Sequence, residues 1–169
     1  MLFRSGEHVL ATDERPIAEI VLDLARERGL TLATAESCTG GLIAAGLTAI
    51  AGSSDVVDRG FVTYSNAAKT EMLGVPPELI AAHGAVSEQV ARAMAEGALD
   101  RSKATMAVAV TGVAGPGGGT VAKPVGLVCF GLARRGAPIT VETHVFPGDR
   151  ASVREATVSH ALALIRAAL

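Results

Sequence analysis

The stretch "ATMAVAVTG", Ala104–Gly112, is continuously apolar from Met106 to Val110 and ends in a Thr-Gly pair. A run of this length bounded by turn residues reads as a strand. Its lack of polar alternation means that both faces are covered, the condition of a strand inside a sheet with helices on either side. Downstream, "VGLVCFGLA" and "PITVETHVF" read as two more strands, joined as a hairpin across "RRGA". Upstream, "LTLATAE" is a short buried strand and "DVVDRGFVTYS" another, centred on Phe61 to Tyr64.

Helical segments separate these strands. In "ATDERPIAEIVLDLARERG", Ile17, Ile20, Val21 and Leu24 follow helical spacing. Thr12 or Asp13 can cap it, Pro16 suits its first turn and Gly29 ends it. Further helices are expected over 42–50, ending near Gly52, over 67–73 and over 77–82. Ser87 caps another through Leu99, and Asp149 a last one with a stripe of Val158, Ala161, Leu162 and Ile165. Helices before and between strands, closed by a hairpin, predict a three-layer α/β/α sandwich on a mixed sheet of about five strands. Residues 1–12 read as an N-terminal extension and 13–169 as one domain.

Composition narrows the function. The 169 residues are 49% hydrophobic with a net charge of −2, so no broad basic surface or polybasic arm suggests nucleic acid or a membrane. Aromatic residues make up 3% and there is no Trp, which disfavours base-stacking platforms. Leu42 to Ala51 is too short to span a bilayer, and the N-terminus does not read as a signal peptide. Cys38 and Cys129 have neither metal nor redox spacing. A cytoplasmic protein with reduced thiols is expected, with no metal and no cofactor; homo-oligomerisation is left open.

Three polar clusters follow strands, where open α/β sheets bind ligands: "TAESCTGG", "TYSNAAK" and "TGVAGPGGGT". Ser37 stands before a helix. It or Thr39 is either a simple N-cap or, for Ser37, a nucleophile with helix-terminal amides nearby. Gly40 and Gly41 would let a substrate approach the backbone. Glu36 either orients its neighbours or pairs with a cation. His8, His83, His144 and His160 stand in no triad context and read as surface or packing residues. Lys69 is either solvated or, if buried near a helix N-terminus, a base of lowered pKa. Tyr64, the sole tyrosine, would end a strand with its ring in the core and its hydroxyl at a site. Around Thr111, the glycines Gly112, Gly115, Gly118 and Gly119 form either a loop or an anion-binding nest. Lys123 and Arg150 are surface residues or phosphate ligands.

"TAESCTGG", "AGSSDVVDRGFVTYSNAAK", "LGV", "HGAVSE", "TGVAGPGGG", "KPVG" and "GDR" occur in that order. Their combination resembles the CinA C-terminal domain family, also called the competence/damage-inducible family. Its stand-alone members are similar to nicotinamide-nucleotide amidohydrolase. The resemblance implies hydrolysis of the carboxamide of nicotinamide mononucleotide (NMN) to nicotinate mononucleotide and ammonia, in pyridine nucleotide recycling. It implies Ser37 as nucleophile, Lys69 as base and Tyr64 beside them. The amides of Cys38 and Thr39 would form an oxyanion hole, with Thr111, the glycine loop and Arg150 lining the pocket. The alternatives are a non-catalytic nucleotide-binding or regulatory module and an amidase for another small amide.

Overall fold

A computed structural model describes residues 14–169. The expected extension, His8 and the cap candidates Thr12 and Asp13 lie outside the described residues. Five strands form one sheet: β1 (Leu32–Glu36), β2 (Val57–Val62), β3 (Met106–Gly112), β4 (Leu127–Arg134) and β5 (Thr140–Val145). Their order is β2-β1-β3-β4-β5. β1 pairs parallel with β2 and β3, whereas β3–β4 and β4–β5 are antiparallel. The mixed α/β/α fold is therefore the one expected.

β3 explains the two covered faces. Met106, Val108 and Val110 point into one core, together with Leu32, Val128, Phe130 and Leu132. Ala107 and Ala109 point into the other, with Ala33, Ala35 and Ala133. The large-residue face is covered by α1 (Ile17–Glu27), α2 (Leu42–Thr48) and α6 (Arg150–Ala168). The alanine face takes α3 (Asn66–Leu73), α4 (Pro77–His83) and α5 (Glu88–Asp100). Small side chains let α5 lie close to the sheet: a Cβ on Gly131 would stand 2.5 Å from the Ala91 carbonyl oxygen.

Ser87, Asp149 and Gly29 act at helix ends as expected, and Ser65 and Gly74 do the same for α3. Ser65, Ser87 and Asp149 accept hydrogen bonds from the third amide beyond them. Gly29 and Gly74 take positive φ just beyond α1 and α3. Two expectations shift. Pro16 itself is the N-cap of α1, without a side-chain bond. β2 ends at Val62 rather than running to Tyr64, because the chain turns there into the Ser65 cap; Tyr64 is 62% exposed and its ring is not in the core.

The chain leaves β1 toward β2 on one side, then crosses back to β3 on the other. That reversal puts the topological switch point, where open α/β sheets form ligand crevices, at the carboxyl ends of β1 and β3. Residues Ser37 and Thr111 lie at those ends, with the Ser37 amide donating to the Val110 carbonyl at 3.1 Å.

The approach of α5 to α3 rests on Gly97, where a Cβ would stand 2.0 Å from the Leu73 carbonyl oxygen. On an open helix Gly→Ala gains about 1 kcal/mol. Here the overlap, typically costing about 1–3 kcal/mol, outweighs that gain. Gly97→Ala is expected to lower the urea midpoint; an unchanged or higher midpoint would mean that the two helices have room to separate.

Candidate active site

The turn after β1 is organised by Glu36, which is fully buried. Its Oε2 accepts hydrogen bonds from Thr39 Oγ1 at 2.6 Å, the Gly41 amide at 3.1 Å and the Ile43 amide at 3.0 Å. Its Oε1 accepts from the Ala44 amide at 2.8 Å. The carboxylate thus caps α2 from the preceding strand and also meets the positive end of the helix dipole. Neither Ser37 nor Thr39 is the N-cap; that position is Gly41, at φ 103°.

With Glu36 serving the helix, the amides of Cys38 and Thr39 make no hydrogen bond among the described residues. Their carbonyls are held from across the molecule, since Arg154 of α6 donates from Nε to Cys38 O and from Nη2 to Thr39 O, each at 3.1 Å. Arg154 escaped the sequence reading. The available signal was its position one helical turn after Arg150, on the same face of α6.

Lys69 lies in the second turn of α3, and its side chain runs inward, leaving 1% of the residue exposed. Nζ is 3.0 Å from Ser37 Oγ and donates to Thr63 O at 2.9 Å. No carboxylate pairs with it among the described residues. Burial pushes its pKa below the ordinary lysine value. Burial acts the other way on the neighbouring Cys38 thiol, raising it to about 11; the side chain within hydrogen-bond reach of Lys69 Nζ is the Ser37 hydroxyl.

Ser37, Cys38, Tyr64, Lys69, Thr111, Gly112 and Arg150 line one cavity of about 220 Å³. Asn66, Ala85, Val86 and Ala114, which lie within the quoted motifs but were not named as site residues, complete it. Thr111 Oγ1 donates to Ala85 O at 2.8 Å, tying the end of β3 to the loop before α5. At the first position of α6, Arg150 donates to Gly115 O at 2.9 Å and to the Tyr64 hydroxyl at 3.0 Å.

Other expected binding residues are used elsewhere. Glu36 and Thr39 are bonded to each other beneath α2. Gly40 lies by Arg154, and Gly41 by Val62. Gly115 turns a carbonyl, not an amide, toward Arg150. Gly118 and Gly119 are exposed, in a loop that folds on itself through Thr120 N–Lys123 O and Gly126 N–Val113 O bonds. They do not build a nest on the cavity. Lys123 donates instead to His83 O at the end of α4.

A buried serine–lysine pair therefore lies in a small polar cleft at the switch point of an α/β/α sheet. The chain belongs to the CinA C-terminal domain family, whose model matches residues 14–169. A CinA-like protein of Mycolicibacterium gilvum is 60% identical over 141 residues, covering 83% of this chain and 33% of the relative. One from Geobacter sp. (strain M21) is 55% identical over 159 residues, covering 94% and 38%. The chain spans between a third and two fifths of the length of the curated relatives it matches. Among solved structures, the competence/damage inducible protein CihA from Agrobacterium tumefaciens superposes with a TM-score of 0.88 at 52% identity, covering 89% of this chain and 92% of that one. A CinA superfamily protein from Escherichia coli gives 0.84 at 34% identity, with 99% of each chain covered. No helix among the described residues is long and apolar enough to cross a membrane.

The capping role of Glu36 has a measurable consequence. Glu36→Gln keeps the shape but turns an NH2 group toward an amide donor, leaving at least one buried N–H without an acceptor. A loss of about 1–3 kcal/mol is expected in chemical denaturation. Wild-type stability in that variant would show that the four bonds to Glu36 do not hold the turn.

Proposed function

We propose that this chain hydrolyses the carboxamide of NMN by a Ser37–Lys69 mechanism, releasing nicotinate mononucleotide and ammonia for reuse in pyridine nucleotide metabolism. The observation that supports it most is the 3.0 Å separation of Lys69 Nζ and Ser37 Oγ, both largely shielded from water. A neutral Lys69 takes the Ser37 proton as Oγ attacks the carboxamide carbon. The resulting oxyanion is stabilised by the amides of Cys38 and Thr39. As the C–N bond breaks, Lys69 returns its proton to the nitrogen and ammonia leaves. Water, deprotonated by Lys69, then attacks the acyl-serine; the proton returns to Ser37 and the carboxylate departs. The net reaction is amide plus water to acid plus ammonia.

The shape of the cleft suits a two-part substrate. The inner cavity shares Ala114 and Arg150 with an outer one of about 650 Å³ that Arg154 also lines. The amide-bearing ring fits the inner part, and the ribose phosphate extends past Arg150, with Tyr64 steadying the guanidinium at the mouth.

The test is ammonia release from NMN by purified protein, read alongside folding. Ser37→Ala and Lys69→Ala are expected to lose nearly all turnover. Lys69→Arg should lose it too, because arginine keeps the charge but cannot deprotonate. In the wild type, kcat/KM should rise with pH as Lys69 loses its proton and level off below the ordinary lysine value of about 10.4, since burial lowers the free-enzyme pKa. Absence of NMN hydrolysis by the folded wild type, or kcat of Lys69→Arg within about tenfold of wild type, a barrier change of only about 1.4 kcal/mol, would remove this reading.

The phosphate contact is separable. Arg150→Ala should reduce the kcat/KM preference for NMN over its riboside by roughly tenfold to a hundredfold, the worth of one charge-assisted bond. Lys123→Ala should leave that preference unchanged. The opposite pattern would return the phosphate to the glycine loop.

A further inference from the structure

Two of the histidines that read from sequence as unrelated surface or packing residues, His144 and His160, are not independent. Glu142 and His144 stand two apart on β5, and so share the face turned toward α6. His160 comes from the third turn of α6, which passes over that face. His144 Nε2 and His160 Nε2 each lie 3.0 Å from the same carboxylate oxygen, Glu142 Oε2. The ligand atoms of all three residues fall within 4.8 Å of one another, the only such group among the described residues.

The surroundings hold this arrangement in place. Phe130 packs edge-on against the rings of His160 and His144, with centroids 4.7 and 5.8 Å away. Phe146 stacks on His144 at 5.9 Å. The aromatic walls restrict both imidazoles, while each of the three residues keeps between a quarter and two fifths of its side chain open to water.

We propose that Glu142, His144 and His160 form a binding site for a divalent transition metal of the zinc type, which clamps edge strand β5 to α6. Two imidazoles and one carboxylate are a donor set for zinc, bound at about 2.0–2.2 Å. Around a tetrahedral ion with such bonds the ligand atoms lie about 3.3 Å apart. The two Nε2–Oε2 separations need only a few tenths of an ångström of expansion. In the metal-bound form each imidazole would bind through the Nε2 lone pair and carry its proton on Nδ1, so that the ion replaces the Nε2–H bonds to Glu142. Water fills the remaining position. The site is separate from the cleft, since His160 lies ten residues beyond Arg150, roughly 15 Å along α6. It rests on none of the residues assigned to amide hydrolysis.

The test uses the untagged full chain, stripped with chelator, and zinc chloride as the probe. One equivalent of Zn(II) is expected to bind with a Kd below about 1 μM. At a hundredfold excess over Kd it should raise Tm by about 5–10 °C. Cobalt(II) in its place should give the visible absorption of a low-coordinate nitrogen/oxygen site. His144→Ala, His160→Ala and Glu142→Gln should each weaken zinc binding by on the order of a hundredfold or more, at least the 10–100-fold lost with a group that merely supports a ligand. His83→Ala should bind as the wild type does. The proposal is overturned if the wild type takes up no stoichiometric Zn(II) in that range, or if a folded His160→Ala binds it equally well. Should the variants fail to fold, zinc-dependent shifts of the imidazole nitrogen resonances in the wild type decide. Shifts at His144 and His160 support the site, and shifts confined to other histidines overturn it.

Discussion

The carboxylate of Glu36 is the fixed point of the site. By accepting four hydrogen bonds from Thr39, Gly41, Ile43 and Ala44, it satisfies the start of α2 from inside the sheet. A cap usually comes from the residue at the helix boundary. Here it comes from the last residue of β1, so the intervening residues are released from capping and form a tight turn. Ser37 tops that turn, and the amides of Cys38 and Thr39 are left without acceptors. Burying a carboxylate is costly unless each lone pair finds a donor. The same bonds that stabilise Glu36 also hold the turn rigid.

The second requirement is a lysine brought to that turn without a counter-ion. α3 carries it, and α3 is positioned by α5, which in turn sits close to the sheet because β1, β3 and β4 present alanine and glycine on that face. Larger side chains there would lift α5 and draw Lys69 away from Ser37. Close packing and lysine burial are thus one constraint. A charged ammonium in such a place is disfavoured, and the depressed pKa expresses the same cost in protonation terms.

α6 joins the candidate cleft to the histidine cluster at the sheet edge. Its first turn supplies Arg150 to the mouth of the cleft, and its second supplies Arg154 to the carbonyls of the serine turn. Its third turn sets His160 against Glu142 of the edge strand. Whatever fixes the register of α6 on the sheet therefore acts on all three.

Much of the fold was legible from residues near one another in the chain. Continuous apolar runs marked the buried strands; Ser87 and Asp149 marked helix starts, and Gly29 marked an end. These signals are local because backbone hydrogen bonding and side-chain periodicity operate over a few residues. The motif pattern also drew attention to Ser37 and Lys69. Tertiary structure alone decided their environment. That Glu36 faces an amide cluster, that Lys69 is buried and that Lys123 turns to the end of α4 depend on which distant segments close over them. Arg154 reaches the serine turn across 115 residues or more, and Glu142, His144 and His160 meet only because α6 folds back over β5. A polar side chain's type fixes what it can donate or accept; which partner it finds, and how much water remains around it, is set by the packing of elements that local sequence does not see.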